Sequence, residues 1–448
     1  MRIVVLHAGG LGDLILVETL LAALRDRHPG ARLELVCRAG PAPAVALHGS
    51  PPDEVHTFEF DPYRWAVPDE AAARDARALL PHLRGDRVAL FVSAELRATW
   101  LSEILAAALA PERAIISDAE LRAPSDVGIL LATLGLDRNR AVDRLPAPAV
   151  PEHELRRYAR LAGETEPRLP RLRPLAGAPT TELAVFPLSA TAFNRWPLSR
   201  VAESARRIAA AHGLTPVVIG SVTERALLDA AAAEGAFGPN ARVAVGSRDD
   251  LAATAARIAA AAGYVGVDTG LAHLAAAYGR PGVTVYGGGY WPHHAPWGPR
   301  SAGVVAPIPC FGCGWDCAFE RPFCLDGIDV TSVAETFDAA YAGEGVPVLR
   351  ELTPYGAREH EIFAAASHVH RAAQRDRAAR LTAITRLRNV LARYARRMNA
   401  RRRRSHLQLA SLARTTGGAA KRLERARQGS LGDAPIPHDG PPLDALTP

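Results

Sequence analysis

The sequence predicts an α/β protein of two doubly wound halves, with two Rossmann-like domains facing each other across a cleft. Three observations carry this. "VVLHAGGLGDLILVETLLAALRDRHPGARLELV" (4–36) runs from an apolar segment through a glycine loop into a helical pattern and a second apolar segment, a β-α-β unit that implies a parallel sheet with a right-handed crossover. A second series of the same kind begins near residue 182. Between the two lies a stretch rich in proline and polar residues, 145–180, "LPAPAVPEHE…EPRLPRLRPLAGAPTT", the best linker in the chain.

The elements follow in order. Residues 3–7 form a buried strand, 14–27 an amphipathic helix, and "ARLELVC" the next strand. "VALFVS" (88–93) is another strand and "ATWLSEILAAALA" another helix. After the linker come strand "ELAVFPL", helix "PLSRVAESARRIAAAHG" and strand "TPVVIG". "ERALLDAAAAEG", "DLAATAARIAAAAG", "YVGVD", "LAHLAAAYG" and "GVTVYGG" continue the alternation, as a second parallel sheet requires. Beyond residue 350 the pattern becomes an Ala/Arg-rich helix over about 358–426, ending in the Pro-rich "GDAPIPHDGPPLDALTP", a composition that favours disorder. The expected organisation is 1–165, 180–350, and a basic helical tail over 355–448.

The chain has 448 residues, room for two or three domains. It lacks the roughly 18 uninterrupted apolar residues of a membrane span. Its N-terminus enters a strand at once, without the layout of a signal peptide, so a cytoplasmic location is expected. Charge is divided unevenly. Residues 355–430 hold 19 Arg and Lys against 4 Asp and Glu, a net of +15, whereas the whole chain is +6. The body is therefore acidic and the tail strongly basic. Lys421 is the single lysine. Cys37 ends an apolar strand and reads as a core thiol.

Three loops carry the chemistry. In the first, "GGLGD", Gly9, Gly10 and Gly12 let the backbone approach a ligand. The loop does not match G-x-G-x-x-G and no Walker-type lysine follows, which argues against a dinucleotide oxidoreductase. Asp13 has two readings. It caps the positive end of the helix, or it is a general base aimed into the cleft to take a proton from an attacking hydroxyl. A phosphate site would not place an acid there, whereas a sugar-acceptor site would.

In the second loop, "YVGVDTGLAHLAAAYGRPGVTVYGG" (264–288), a strand ends at Asp268 and a helix opens at Thr269-Gly270. Free amides and the helix dipole then meet where phosphate binds, with His273 one turn in, either as a donor or as a satisfied helix histidine. The third loop, "FPLSATAFNRWPLSRVAE" (186–203), offers Ser189 and Thr191 to phosphate, and Trp196 reads as core.

With these loops in order, residues 1–340 resemble glycosyltransferase family 9, the ADP-heptose:lipopolysaccharide heptosyltransferases and their relatives. "DTGLAHLAAA…RPGVTVYG" is the most specific block, supported by "GGLGDLILVETLLAALRDRHPGARLELV" and "RWPLSRVAE". The resemblance implies the GT-B architecture, with acceptor on the N-terminal domain and nucleotide-sugar on the C-terminal one. It also implies inversion at the anomeric carbon with no metal in catalysis, and the chain has no D-x-D. By the same resemblance Asp13 is the base, and Asp268, Thr269, Gly270, Leu271 and His273 contact the donor diphosphate. Glu224 in "GSVTERA" holds the ribose. Relatives carry lysine before the "RWP" step to meet charge on the leaving diphosphate. Here Asn194 stands at that place, with Arg195 beside it as the substitute.

Cys310, Cys313, Cys317 and Cys324 in "PCFGCGWDCAFERPFC" give C-x2-C-x3-C-x6-C. Four thiolates so close suit a structural metal, zinc first and iron–sulfur second. Free thiols or a disulfide are the alternative. His293 and His294, in "GGGYWPHHAPWGPR", read as loop residues near the cleft, with a metal or the donor sugar as their alternative partner. The basic tail is either a solvated helix or an electrostatic contact with anionic lipid. Nucleic acid is not expected, because interleaved aromatics are missing.

The expected function is transfer of a heptose or related sugar from a nucleotide-sugar, ADP-heptose first, to a hydroxyl of a glycan or glycolipid at the inner face of the cell membrane. The alternative is a non-catalytic relative acting as an assembly partner.

Overall fold

The computed structural model describes residues 1–376 apart from 64–69, 84, 97, 118–126, 138, 140, 147–150, 176, 247–249 and 344–348. The tail from 377 onward, and with it most of the basic extension, lies outside the described residues.

The first lobe contains β1 (Arg2–His7), α1 (Leu11–Arg27), β2 (Arg32–Arg38), β3 (Glu54–Phe58), α2 (Glu70–Leu79), β4 (Val88–Ser93), α3 (Trp100–Leu109), β5 (Arg113–Ser117), α4 (Val127–Leu134), β6 (Val142–Leu145) and α5 (Glu154–Ala162). Its six strands are all parallel in the order β3-β2-β1-β4-β5-β6. Every residue of β1 is buried, as a central strand covered on both faces requires.

The second lobe contains β7 (Glu182–Phe186), α6 (Leu198–His212), β8 (Thr215–Ser221), α7 (Arg225–Ala233), β9 (Arg242–Gly246), α8 (Leu251–Ala260), β10 (Gly263–Val267), α9 (Gly270–Ala277), β11 (Gly282–Tyr286), β12 (Ser301–Val305), α10 (Phe323–Asp326), α11 (Val330–Ala342) and β13 (Leu349–Glu351). A last helix, α12, runs over residues 357–376. The seven strands are parallel, ordered β13-β12-β11-β10-β7-β8-β9. Chain order reverses between β1 and β4 in one sheet and between β7 and β10 in the other. Ligands of open α/β sheets bind in the crevice beyond the strand ends at such points.

The structure differs from the sequence reading in two places. The Pro-rich stretch is not all linker, because it contains α5, whose Leu155, Tyr158, Leu161 and Ala162 are buried in the core of the first lobe. Helix α1 begins at Leu11 rather than residue 14, so Asp13 sits inside its first turn.

The lobes touch. One apolar cluster runs from Leu14, Val17 and Leu21 of α1 into Ala272, Leu274 and Ala275 of α9. At the helix starts the fit is close. A methyl group on Gly270 would lie 2.7 Å from Cβ of Leu11, and one on Gly12 would lie 2.5 Å from the His273 ring. The two helix N-termini therefore open side by side at the mouth of the cleft.

Candidate active site

The floor of the cleft is built from the β1–α1 and β4–α3 loops. His7, at the end of β1, is buried, and its Nδ1 accepts the Gly9 N–H at 3.0 Å. That nitrogen is therefore unprotonated, and Nε2 donates to the Tyr158 hydroxyl at 2.7 Å. Burial pushes the ring down to about 4, so it stays neutral. Glu95 is fully buried. One of its oxygens accepts the Ala8 N–H and the other has no partner. Burial raises its carboxyl to about 8, against the pull of the Ala8 amide and Arg157. Arg157 fixes this loop from α5. It pairs with Glu154 and donates to the carbonyls of Glu95 at 2.9 Å and Ala94 at 2.6 Å.

Asp13 uses its two oxygens differently. Oδ2 accepts the Gly10 N–H at 2.6 Å, closing the first turn of α1. Oδ1 faces the opposite lobe and lies 3.1 Å from Nδ1 of His294. Gly9 is required here, because a Cβ on it would fall 2.5 Å from Oδ2. Burial opposes ionisation of Asp13. The charge and polar contact of His294, with His7 and the Gly10 amide, outweigh it and hold the carboxyl well below the usual range. Burial likewise opposes protonation of His294, but Asp13, Glu154 and Asp268 raise it to about 9. At neutral pH the pair is carboxylate and imidazolium. Their side chains keep 25% and 29% exposure, so a ligand can reach both.

The second lobe supplies the other wall. Asp268 follows β10, and Asn194 donates to its carbonyl at 2.9 Å and to its carboxylate at 3.3 Å. Burial raises Asp268 to about 6, with His294 and Asn194 opposing. Thr269 is the N-cap of α9 in extended conformation, and its side chain makes no capping bond. The amides at Gly270 and Leu271 open the helix. Leu271 packs on the shared apolar cluster. The His273 ring is buried 4.0 Å from Asp268. Burial lowers it to about 3, so it is neutral, and its Nδ1 has no partner.

The remaining residues singled out in the sequence take distinct places. Ser189 is buried, and its hydroxyl accepts from the Thr191 amide and the Asn194 side chain, both at 3.4 Å. Arg195 is exposed, and its Nε donates to the Ser189 carbonyl at 2.7 Å. Glu224, after β8, accepts the amide and hydroxyl of Ser221, each at 2.8 Å. Trp196 is core.

The four cysteines line one small cavity with Phe193, Phe311, Trp315 and Phe323. None of the four is in a disulfide, and no three of their sulfurs lie within 4.8 Å of one another. Burial first, then the neighbouring thiols, raises Cys310 to about 12. The knuckle is pinned to the glycine run after β11, where Gly312 and Gly314 donate to the carbonyls of Gly288 and Gly289 at 2.6 and 2.9 Å.

Sequence reasoning missed Glu95 and the His7–Tyr158 pair, and it named His294 without its partner Asp13. Glu95 and Tyr158 meet the first loop from 87 and 151 residues away, so no local pattern announces them.

Two facing nucleotide-type lobes, with a carboxylate on one opposite a helix N-terminus on the other, make the GT-B architecture. The comparisons agree. Residues 147–315 match the model of glycosyltransferase family 9 (heptosyltransferase). The fold is shared with E. coli ADP-heptose lipopolysaccharide heptosyltransferase II, at 19% identity and a TM-score of 0.55, covering 77% of this chain and 99% of that one. It is shared also with a family 9 glycosyltransferase from Veillonella parvula, at 14% identity and 0.58, covering 76% and 97%. E. coli heptosyltransferase WaaC, solved with ADP-2-deoxy-2-fluoro heptose, gives 21% identity and 0.51, covering 75% and 99%. No curated protein sequence matches the chain. Among the described residues no helix is long and apolar enough to cross a membrane.

Proposed function

We propose that this enzyme transfers a heptose or related sugar, with inversion, from a nucleotide-sugar to a hydroxyl of a glycan or glycolipid. ADP-heptose is the first donor to test, because the WaaC structure of the same fold holds an ADP-heptose analogue. The observation that carries the reading is Asp13, with one oxygen capped by Gly10 and the other turned across the cleft toward the second lobe.

In the transfer step, the acceptor O–H gives its proton to Asp13 as its oxygen bonds to the anomeric carbon. The bond from that carbon to the diphosphate oxygen breaks, and its electron pair leaves with the nucleoside diphosphate. The amides at the start of α9 and its dipole meet that charge, so the transfer itself draws on no metal. In this reading Thr269 and Ser189 donate to phosphate and Glu224 holds the ribose. His273, being neutral, acts as a hydrogen-bond donor rather than a cation. Arg195 is exposed with its Nε on the Ser189 carbonyl, and its Nη atoms are the part able to turn inward.

The cysteine knuckle is proposed to hold a structural zinc ion. The donor set is that of a thiolate metal, whose binding would draw the four sulfurs lining this cavity together and stiffen the glycine run after β11. The basic tail is proposed to meet anionic lipid at the membrane that carries the acceptor.

The test is Asp13→Asn, which preserves an oxygen for the Gly10 amide. Transfer falls by about 10²–10⁴-fold, the contribution of a general base, while ADP binding by calorimetry persists. Turnover like that of the wild type in this variant removes Asp13 as the base.

A further inference from the structure

We infer that His294 is the cation that the second lobe presents to the donor's diphosphate, held on Asp13 while the cleft is empty and released from it when a nucleoside diphosphate arrives. The inference rests on the nucleotide-sugar reading and deepens it by assigning the charge partner of the leaving group.

His294 belongs to the loop between β11 and β12, in the half of the chain that carries α9. It is nevertheless the side chain that crosses the cleft, with Nδ1 3.1 Å from Asp13 Oδ1. Of the nearby arginines, one is fully engaged and the other stands outside the buried cleft wall. Arg157 is buried and bound to Glu154 and two carbonyls. Arg195 is exposed with its Nε on the Ser189 carbonyl. Asn194, at the position where the resemblance expects a lysine, is a buried amide bound to Asp268. His273, closest to the start of α9, is kept neutral by burial.

The loop that carries His294 is itself anchored to the first lobe. The Glu154 amide donates to the His293 carbonyl at 2.9 Å, and His153 Nε2 lies 2.7 Å from the Ala295 carbonyl. The ring of Tyr290 stands edge-on to His294 at 5.7 Å. His294 is therefore held at the cleft mouth by its flanks while its ring pivots between two anions.

The groups that set its protonation are known on every side. Asp13 from α1, Glu154 from α5 and Asp268 after β10 favour the charged ring. The His7, His153, His273 and His293 rings neighbour it and are themselves neutral near pH 7. A dianionic diphosphate at the start of α9 competes with Asp13 for this charge. Once His294 turns to the phosphate, Asp13 loses the partner that most depresses its basicity and becomes able to take the acceptor proton. Donor binding thus precedes productive acceptor binding.

The experiment is calorimetric titration of the full chain with ADP at pH 7.5 and pH 9.5, for wild type, His294→Gln and His294→Arg. Phosphate, with a second pKa of about 6, stays ionised across this range. Wild type is expected to bind about threefold more weakly at pH 9.5, where a ring titrating at about 9 has lost about three-quarters of its charge. His294→Gln should be about tenfold weaker at pH 7.5 and show no further loss at 9.5. His294→Arg should keep its affinity at both pH values and shows that the site folds. ADP binding that His294→Gln leaves unchanged, or a pH loss that persists in that variant, overturns the inference and leaves the donor reading intact. Failure of the wild type to bind ADP overturns the donor reading itself.

Discussion

Glu95 is a carboxyl in a place that does not tolerate its charge. It is fully buried, with one oxygen on the Ala8 amide and the other unpartnered, and its folded-state value near 8 stands far above the 4.5 of an exposed glutamate. Between those values the folded chain holds a proton that the unfolded chain has released. Stability therefore falls as pH rises from about 4.5 to 8, with a slope of at most about 1.4 kcal/mol per pH unit from this group. Glu95→Gln removes the proton exchange. The variant should gain on the wild type steadily in urea denaturation at pH 5, 6.5 and 8, and a constant difference across the three means that Glu95 is ionised in the fold. At this scale the sequence was informative where chemistry and backbone geometry coincide. Asp13 among three glycines is visible because an acid inside a glycine loop needs a reason. His294 was visible as a loop residue without its partner, since its significance comes from an acid 281 positions away. Arg195 illustrates the reverse, because the sequence places it beside the donor loop and only coordinates show its guanidinium facing out.

Long apolar runs flanked by glycine declared the central elements β1, α1, β7, β10 and α9, because burial on both faces leaves no polar interruption. The edge strand β6, "VDRL", is polar and only half-buried, so nothing in its composition separates it from loop. Helix α5 was hidden by the prolines around it, although Leu155, Tyr158, Leu161 and Ala162 carry a helical period. The cysteine knuckle was legible as a spacing, but its role as a mount was not. Asp316, between Cys313 and Cys317, receives His370 Nε2 at 3.1 Å and Gln374 from α12, and Arg371 donates to the Phe311 carbonyl at 3.3 Å. A metal on the four thiols would brace both this mount and the glycine run after β11. Elemental analysis of the purified chain should return one ion per molecule. Its removal by a chelator should free four thiols to a thiol reagent, lower the melting temperature and speed amide exchange over 357–376. A chain isolated without metal, with all four thiols reactive from the start, sinks the site.

At the scale of the whole molecule the two sheets repeat one design, with each crevice at the point where strand order reverses. What the repetition does not explain is why the crevices meet. That follows from α1 and α9, which share an apolar cluster and bring their first turns into contact through Gly12 and Gly270. Neither glycine has a positive φ, so each is there for proximity rather than for backbone freedom. A methyl group on Gly270 would lie 2.7 Å from Cβ of Leu11 and 3.0 Å from the Gly12 nitrogen. A backbone nitrogen cannot swing aside as a side-chain tip can, so relief comes from moving one helix away from the other. Gly270→Ala should therefore part the lobes at the cleft mouth. We expect a larger radius of gyration in solution scattering and a loss of about 1–3 kcal/mol, the usual range for overpacking. Separation also moves His294 away from Asp13, so the variant should lose transfer activity out of proportion to its loss of stability. A radius of gyration equal to that of the wild type, with normal turnover, means that the first turns of α1 and α9 do not set the spacing of the two lobes.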